Sequence, residues 1–558
     1  AARIDRLAPD EKALLQQLSV IGREFPLGLI RQVLTQPEAE LYRILASLQR
    51  KEFLYEQPAF PEVEYLFKHA LTQEVAYGTV LQEQRKLLHE RTGQALEALY
   101  ASTLHEHYSD LAHHYQRSPN TEKAIEYLQL AGQQAVQRSA NEEAVRHLTA
   151  ALDLLHTLPD TSERARQELA LQIGLGTPLL VLKGWASPAL ETVFVRAREL
   201  SQRVGDSALL FRALVWLRLV YSTRADYQSE RKLGEQCLRL AQQEEDPEFL
   251  METHVQSGYR AVFVGDLHEA IQHTEHAISL YNRQRHYSHR FLYGTDPGVA
   301  SRVYRAVALW VLGYPDQAAK ALSDARALAH EIAHPFSLGF ALNDSAWFHQ
   351  FRQEVEASLE WAEATIKFAT DQGLPVWVPL GTMFRGWALV MLEQYGEEGI
   401  TQIRHGLAEC AVSGLIVLRS QHLLMLAQAY GKLGQIEAGL TVLAEALTHV
   451  NAKGEHLYEA ELYRIKGTLT LESQVESHKS KVEEAEACFL KAINIAQKQQ
   501  AKSLELRATV SLARLWQQQG KRDEAQQMLV AIYGWFTEGF DTKDLQEAKA
   551  LLDELRQQ

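Results

Sequence analysis

A recurring pattern of small and large residues constrains the fold of this 558-residue chain more than any other feature. Each copy begins with Leu, then Ala or Gly, and then an aromatic residue three positions after the small one. Twelve positions after the small residue comes another Ala or Gly, followed by a large residue four positions on and a small one three further. Small residues let two antiparallel helices cross closely, and large ones fill the space between them. The clearest copies are Leu111-Ala112, Tyr115, Ala124, Leu128 and Ala131; Leu426-Ala427, Tyr430, Gly439, Leu443 and Ala446; and Leu512-Ala513, Trp516, Ala525, Leu529 and Ile532.

The second helix of each pair can be followed along most of the chain. Its first small position falls at residues 270, 318, 357, 399, 439, 485 and 525, so that the copies follow one another at similar intervals. The looser copy at Ser345 and Phe348 continues with Ala357, Trp361 and Ala364, and the copy at Gly467 carries an extra loop, Ser473 to Lys481. This pattern predicts an all-α fold: one right-handed superhelix of tetratricopeptide-like helix pairs, longer than the usual repeat of about 34 residues. The low counts of 15 prolines and 31 glycines agree with helices joined by short turns.

Two parts of the chain depart from the regular pattern. Between residues 161 and 245 helices are evident, but the repeat register is not. The segment Leu545 to Leu555 carries charged residues on one face and predicts a helix that caps the array.

The N-terminal part, residues 1–72, contains the convincing strand signals of the chain. Three amphipathic or proline-initiated segments predict helices, and two short aromatic-rich runs around a break at Pro58 and Pro61 predict a hairpin. Three helices followed by a two-stranded wing predict a small winged-helix domain. The helical segments are Ala8 to Ile21, Pro26 to Leu34 and Pro37 to Arg50, and the runs are Phe53 to Glu56 and Val63 to Phe67. We therefore predict a winged-helix domain at 1–72, linking helices and first repeats at 73–160, and the superhelical array with its capping helix at 161–558.

Several longer strings resemble a family of large bacterial regulators. These regulators have an AAA/STAND-type ATPase core, often fused to a class III adenylate or guanylate cyclase domain. The resemblance implies that the chain is the C-terminal sensor region of such a protein and that its partners include upstream ATPase or cyclase domains of the same polypeptide. The strings are Leu7-Ala8-Pro9-Asp10-Glu11-Lys12, Val20 to Phe25, Phe67 to Tyr77, Tyr293 to Ala300, Leu312 to Ala318 and Tyr533 to Phe540.

The sequence predicts no enzyme activity within this chain. A phosphate-binding loop needs Gly-x-x-x-x-Gly-Lys followed by Ser or Thr, and Gly431-Lys432 and Gly520-Lys521 both lack it. With few strands, the chain also offers no cyclase-like pair of metal-binding aspartates. We expect no cofactor and no metal, and the first residue, Ala1 rather than Met, suggests a fragment of a longer protein.

The net charge and the cysteine content restrict the kinds of partner and the cellular compartment that we expect. The formal net charge is −14, whereas nucleic-acid binding favours a basic field, so that nucleic acid is not expected as the main partner. Three widely separated cysteines, Cys237, Cys410 and Cys488, fit a reducing compartment, and we expect a cytoplasmic protein without a membrane span.

A basic and aromatic segment, Tyr281 to Tyr293, is the candidate binding site. Guanidinium groups between aromatic rings can hold phosphate or stack on a base, although exposed arginines more often pair with nearby carboxylates. The candidate residues are Arg283, Arg285 and Arg290 in this segment, Arg302 and Arg305 on the following helix, and Tyr259.

Two further motifs favour a structural interpretation. His330-Glu331-Ile332-Ala333-His334 matches the HExxH zinc pattern, but Pro335 follows at once, so that the second histidine lies at a helix end. The third helix of the predicted winged helix mixes Glu38 and Glu40 with Arg43, and a recognition helix should be more uniformly basic.

The leading functional hypothesis is a non-catalytic sensor region. It would bind a protein partner or a small-molecule effector in the superhelical groove and regulate an attached STAND ATPase or nucleotide cyclase. A stand-alone scaffold or adaptor protein, and a DNA-binding regulator acting through the winged helix, are the alternatives.

Overall fold

The computed structural model describes residues 3–34, 36–59, 62–474 and 478–556. It divides the chain into two compact units, Ala1–Gly174 and Leu175–Gln558, and each is described by itself. The predicted break at Pro61 and residues 475–477 of the predicted extra loop lie outside the described residues. Among the described residues, no helix combines the length and apolar character needed to cross a bilayer.

The first unit begins with helices and a small antiparallel sheet. Strands β1 (Glu24–Pro26), β2 (Leu54–Gln57) and β3 (Glu64–Phe67) pair in the order β1-β3-β2, with Phe25 opposite Tyr65 and Tyr55 opposite Leu66. The predicted hairpin is confirmed, whereas β1 was not anticipated because its three residues pair with a segment far along the chain. The helices of the unit are α1 (Pro9–Ile21), α2 (Leu27–Val33), α3 (Glu38–Arg50), α4 (Ala70–Gly78), α5 (Gln82–Leu99), α6 (Tyr108–Gln116), α7 (Thr121–Gln137), α8 (Asn141–Leu155) and α9 (Ser162–Gly174), with short 3-10 helices at Ile4–Arg6 and Leu104–His107.

A buried carboxylate joins the start of α1 to the end of α3. Glu11 accepts hydrogen bonds from the backbone N–H of Ala8 at 3.0 Å, the hydroxyl of Ser47 at 2.6 Å and the ammonium of Lys51 at 2.6 Å. The Lys51 ammonium and the Ser47 hydroxyl hold the pKa of Glu11 at about 2. The same carboxylate therefore caps α1, by accepting from its N-terminal backbone, and fixes α3 against it.

The second unit is built from consecutive helices that pack in pairs. The helix-pair positions predicted at Ala270, Ala318, Gly399, Gly439, Ala485 and Ala525 are all buried. The predicted capping helix packs Leu545, Leu551 and Leu555 on the last pair. The helices are α10 (Gly176–Lys183), α11 (Pro188–Val204), α12 (Ser207–Thr223), α13 (Tyr227–Gln243), α14 (Pro247–Val264), α15 (Leu267–Leu280), α16 (His289–Leu292), α17 (Pro297–Leu312), α18 (Pro315–Ile332), α19 (Pro335–Phe351), α20 (Val355–Asp371), α21 (Trp377–Met391), α22 (Gly396–Ser413), α23 (Arg419–Lys432), α24 (Ile436–Lys453), α25 (Glu459–Glu472), α26 (His478–Lys498), α27 (Lys502–Gln518), α28 (Arg522–Tyr533) and α29 (Lys543–Arg556).

One predicted register is wrong by a single position. In α20 the buried positions are Ser358, Ala362 and Thr365, and not Ala357, Trp361 and Ala364, which are half-buried. A large Trp361 suggested the packing position, but Trp361 is half-buried, and the guanidinium of Arg326 in α18 stands 4.6 Å from the centre of its ring. With the marker moved to Ser358, the markers at 318, 358 and 399 are almost evenly spaced, so that the repeat is more regular than the sequence suggested.

A buried ion pair explains why the repeat pattern could not be recognised in the sequence between residues 161 and 245. In the α12–α13 pair the two small positions are occupied by Arg218 and Glu230, which form a buried ion pair at 2.7 Å. The position that is usually large is Gly234, and the guanidinium fills its place, 3.0 Å from where a β-carbon would stand. The helix pair is therefore present, but large residues occupy the positions that are usually small, and a glycine occupies the position that is usually large. A search for small residues at the usual positions does not detect this pair.

The second unit also returns upon itself, so that late segments meet early helices. The backbone oxygen of Thr223, at the end of α12, accepts from the N–H groups of Ile416 and Val417, both at 2.9 Å. Phe263, near the end of α14, accepts from the N–H of Leu457 at 3.2 Å, and Trp310, near the end of α17, accepts from the hydroxyl of Ser503 at 2.6 Å. Each of these oxygens is among the last carbonyls of its helix, which lack the usual donor within that helix. The later segments therefore cap the ends of the earlier helices.

Candidate functional site

The first helices of successive pairs surround a cavity of about 110 Å³ inside the second unit. Most of the contributed residues lie three, four or seven positions from another in the same helix, so that one face of each helix lines the space. The residues in the wall are Leu219 and Thr223 of α12; Glu252, Val255, Gln256, Tyr259 and Phe263 of α14; Pro297, Ala300 and Tyr304 of α17; Phe340, Asn343, Asp344 and Trp347 of α19; and Trp377 and Leu380 of α21.

Loops close the remainder of the wall. Trp185 lies between α10 and α11, and Tyr293 and Thr295 lie just before α17. Leu415, Val417 and Leu418 complete the wall and belong to the segment whose backbone N–H groups bind Thr223. The return of the array therefore completes the cavity, because segments far apart in the chain share one wall.

Aromatic rings form a connected part of the wall. Tyr304 contacts both Tyr259 and Phe340, with ring centres 5.1 Å and 5.9 Å apart, and both pairs meet edge to face. Trp377 stands 4.8 Å from Trp185, also edge to face. Ring faces that are not covered by another ring carry partial negative charge, which attracts a cation.

A buried carboxylate, Asp344, faces the same space. Its side chain is 6% exposed, and burial raises the pKa of its carboxyl to about 8, although a hydrogen bond with Asn343 lowers the pKa in part. Among the described residues that line the cavity there is no Lys, Arg or His. The carboxyl of Asp344 therefore lacks the positive neighbour that a buried carboxylate ordinarily requires.

A second carboxylate in the wall, Glu252, is already paired. Its oxygen lies 2.6 Å from Nδ1 of the buried His289, whose Nε2 lies 3.3 Å from Glu248. Burial raises the pKa of Glu252. Burial lowers the pKa of His289, but the hydrogen bonds and negative charges of Glu252 and Glu248 together outweigh it, so that the pKa of His289 is raised. Glu252 therefore has a basic partner, and Asp344 is left as the carboxyl without one among the described residues of the wall.

The predicted arginines lie outside this cavity and bind groups of the chain itself. Arg283 pairs with Glu331, Arg285 with Glu248 at 2.9 Å, and Arg305 with Glu275 at 3.1 Å. Arg290 is buried and donates to the backbone oxygens of Tyr287 and Ile332 at 2.8 Å and 3.0 Å, and Arg302 donates to that of Gly298 at 2.8 Å. Arg302 also lies 5.7 Å from the centre of the Tyr281 ring. Ligand binding by these five arginines stays a prediction, and each already has a structural role.

Tyr259 is the predicted site residue that lines the cavity, and the sequence reasoning missed the rest of the wall. Trp347 and Trp377 are core residues that also line the cavity. A usable signal was present in α19, where Asn343 and Asp344 stand in the middle of a mostly apolar helix that contains no Lys or Arg. A helix buried on all sides with an aspartate at its centre indicates an internal polar site.

The HExxH motif is divided between two helices. α18 ends at Ile332, Ala333 adopts a left-handed conformation at φ +49°, and His334 caps the start of α19 by accepting from the N–H of Ser337. The two histidines therefore do not share one helical face, which the metalloprotease pattern requires. Among the described residues no group of three or more His, Cys, Asp or Glu side chains is placed to hold a metal ion.

Comparison with protein-family models found no match. Among curated proteins, the chain is 25% identical over 502 residues to an uncharacterized protein of Rhizobium meliloti (strain 1021), covering 89% of this chain and 48% of that protein. The chain thus spans about half the length of the curated relative it matches.

Among solved structures, the chain is similar to helical proteins at low identity. A STAND protein with a tetratricopeptide repeat sensor from Pyrococcus horikoshii is 16% identical, with a TM-score of 0.35 over 99% of this chain and 66% of that chain. A Rap protein complexed with competence and sporulation factor is 11% identical, with a TM-score of 0.47 over 68% of this chain and 99% of that chain. The Cut9–Hcn1 hetero-tetramer of the APC/C is 12% identical, with a TM-score of 0.45 over 84% of this chain and 94% of that chain. Likenesses at this level carry no information about a site or a partner.

Proposed function

We propose that the chain is a non-catalytic sensor region whose second unit encloses a small-molecule effector. The observation that supports this function is the cavity itself, with its connected aromatic wall, its buried carboxyl and its closure by segments far apart in the chain. Pockets with an apolar wall and a few placed polar groups are the usual form of small-molecule sites.

The sensing mechanism follows from the way the wall is assembled. A ligand that contacts both α19 and the Leu415–Leu418 segment binds the closed arrangement better than an open one. Differential affinity of this kind shifts the equilibrium toward closure and stabilises the unit by mass action. The carbonyl contacts at Thr223, Phe263 and Trp310 would then form together, and the change would reach the attached parts of the polypeptide.

Ligand-dependent unfolding of a cavity-filled variant tests this function. Ala300 lines the cavity, and Ala300→Leu reduces its volume, whereas Ala327→Leu adds the same group on the exposed face of α18. We expect pools of small metabolites to contain a compound that raises the melting temperature of the wild type and of Ala327→Leu but not of Ala300→Leu. Shifts of equal size in all three proteins, or no shift with any pool, would contradict the proposal.

We further propose that the regulated part is an ATPase or nucleotide cyclase domain upstream in the same cytoplasmic polypeptide, as the sequence resemblance implies. The supporting observation is that the chain spans about half of its curated relative. ATP hydrolysis and cyclase activity of the full-length protein should respond to the identified compound, and Ala300→Leu should remove the response. An unchanged activity would favour the scaffold alternative.

For residues 1–72 we propose a winged-helix domain with a structural or regulatory role. Helices α1 to α3 and the antiparallel β1-β3-β2 sheet have the order of elements that such a domain requires. Two basic residues at its third helix are engaged internally, since Arg43 pairs with Asp10 at 2.7 Å and Lys51 with Glu11 at 2.6 Å. DNA binding is therefore not the function we propose, and a salt-sensitive shift of duplex DNA by the chain would reverse that choice.

A further inference from the structure

The cavity wall contains buried side-chain oxygens that can accept hydrogen bonds from a ligand. Besides the carboxyl of Asp344, the side-chain oxygens of Asn343 and Gln256 are buried without a hydrogen-bond partner among the described residues. The indole N–H of Trp377 also lacks a partner there, but it lies against Gly339, 2.8 Å from where a β-carbon would stand. Unsatisfied buried acceptors cost about 1–3 kcal/mol each, so that a ligand with N–H or O–H donors is favoured here.

The charges in the cavity wall further restrict the chemical class of the ligand. Asp344 is buried without a basic neighbour in the wall, whereas Glu252 has its own partner in His289. An ionised carboxylate in such surroundings requires a counter-charge, and the wall of described residues supplies none. A ligand that carries a positive charge can supply it.

The aromatic rings favour the same kind of ligand. Tyr259, Tyr304, Phe340, Trp347 and Trp377 line the space around Asp344, and ring faces within about 6 Å attract an alkylammonium ion, more strongly when water is excluded. A neutral ligand gains the apolar contact with these rings but not the electrostatic part. A volume of about 110 Å³ suits a small molecule and not a folded peptide.

We propose that the cavity binds a small organic ammonium ion, whose N–H groups donate to Asp344, Asn343 and Gln256 and whose alkyl part lies among the aromatic rings. This inference deepens the proposed sensor function and rests on it. A primary or secondary amine fits better than a quaternary one, because a quaternary ion has no N–H to satisfy the three acceptors.

The protonation of Asp344 gives the binding a measurable signature. Burial raises the pKa of this carboxyl to about 8, so that at pH 7 it is mostly protonated. An ammonium ion favours the ionised form and lowers the pKa, and about one proton should be released for each ion bound at pH 7. A neutral alcohol of the same size should release none.

The test uses isothermal titration calorimetry of the whole chain with three probes: butylammonium, its neutral counterpart butan-1-ol, and tetramethylammonium. Each is measured at pH 7 in two buffers of different ionisation enthalpy, so that the number of protons released is obtained. The variants are Asp344→Asn, and Asp324→Asn as the matched control on the exposed face of α18. Tyr304→Phe and Tyr304→Leu separate the contribution of the aromatic ring from that of the hydroxyl.

We expect butylammonium to bind the wild type and Asp324→Asn at least tenfold more tightly than butan-1-ol or tetramethylammonium, with release of about one proton. Asp344→Asn should weaken butylammonium binding roughly 30-fold or more and abolish proton release, because a buried charge pair loses one partner. Tyr304→Phe should bind as the wild type does, and Tyr304→Leu should bind more weakly.

The outcomes that overturn the inference differ from those that overturn the sensor function. Equal binding of butylammonium and butan-1-ol, blocked in both cases by Ala300→Leu, would leave the cavity as a ligand site and refute the ammonium ion as its ligand. Butylammonium binding that survives Ala300→Leu or Asp344→Asn would place the ion elsewhere, and no binding of butylammonium would refute it outright. The sensor function itself fails only when no metabolite distinguishes Ala300→Leu from Ala327→Leu.

Discussion

Replacing Asp344 with asparagine should stabilise the second unit at neutral pH and leave it nearly unchanged in acid. The carboxyl has its ordinary value of 3.8 in the unfolded chain, and burial raises its pKa to about 8 in the folded protein. Between these values the folded state binds the proton that the unfolded state has lost, so that stability falls as pH rises from about 4 to about 8. At pH 7 the difference is roughly three pKa units, which corresponds to about 4 kcal/mol. The asparagine of the variant cannot ionise and avoids this loss.

Urea unfolding of both proteins at pH 4.5, 5.5, 7 and 8 measures the effect. Tryptophan fluorescence reports the second unit alone, because all nine tryptophans follow residue 174. Three other titratable groups sense Asp344, namely Tyr259, Tyr304 and Tyr458, and burial raises the pKa of each, so that they stay neutral over this range. The Glu252–His289 pair is common to both proteins. Stability curves that run parallel from pH 4.5 to 8 would refute the reasoning, and Asp324→Asn, an exposed aspartate, should give that parallel result.

Two further predictions concern the packing of the helix pairs. Arg218→Ala should destabilise the second unit by about 3 kcal/mol in urea unfolding, because the buried Glu230 loses its partner at 2.7 Å and keeps only Arg260, at 3.4 Å. The triple change Arg218→Ala, Glu230→Ala and Gly234→Leu restores the usual sizes of a helix pair and should recover most of that loss; a triple variant as unstable as Arg218→Ala would contradict the exchange of sizes. Gly399→Ala should cost about 1–3 kcal/mol, since its β-carbon would stand 2.5 Å from a backbone oxygen of α21. Gly78→Ala in α4 meets nothing within 4 Å and should be neutral or slightly stabilising by far-UV circular dichroism, so that equal losses for the two glycines would refute the steric argument.

The helix pairs could be predicted from the sequence because the contacts within each pair join residues that are close together along the chain. A small residue such as Gly439 and the Ala427 it packs near are 12 positions apart, and this spacing is fixed by the geometry of two antiparallel helices and a short turn. The same logic placed the helices of residues 1–72 and the β2–β3 hairpin. It failed at Ala357, where a large Trp361 suggested the wrong register, and at Arg218, where a charged residue stands in a position that the pattern reserves for a small one.

The candidate site was mostly beyond sequence reasoning. The basic segment around Arg290 attracted notice by its composition, yet its guanidinium donates to the carbonyls of its own chain. Asp344 was not predicted as a site residue, because a single aspartate forms no recognisable motif. Its importance depends on its surroundings, since the described residues of the cavity wall include no basic group. The predicted groove could be described only as a concave face, without the residues that line it.

By itself, the sequence determined that this chain forms helix pairs at regular intervals, because each pair is specified by residues close together along the chain. Only the tertiary structure decided where the array returns, which brings Thr223 against Val417 and closes the wall beside Asp344. The physical reason is that each helix pair is rotated slightly relative to the previous one, and these rotations add up over several repeats before late helices of the array contact early ones. No short sequence pattern specifies this accumulated rotation, yet the cavity and the groups that line it depend on it.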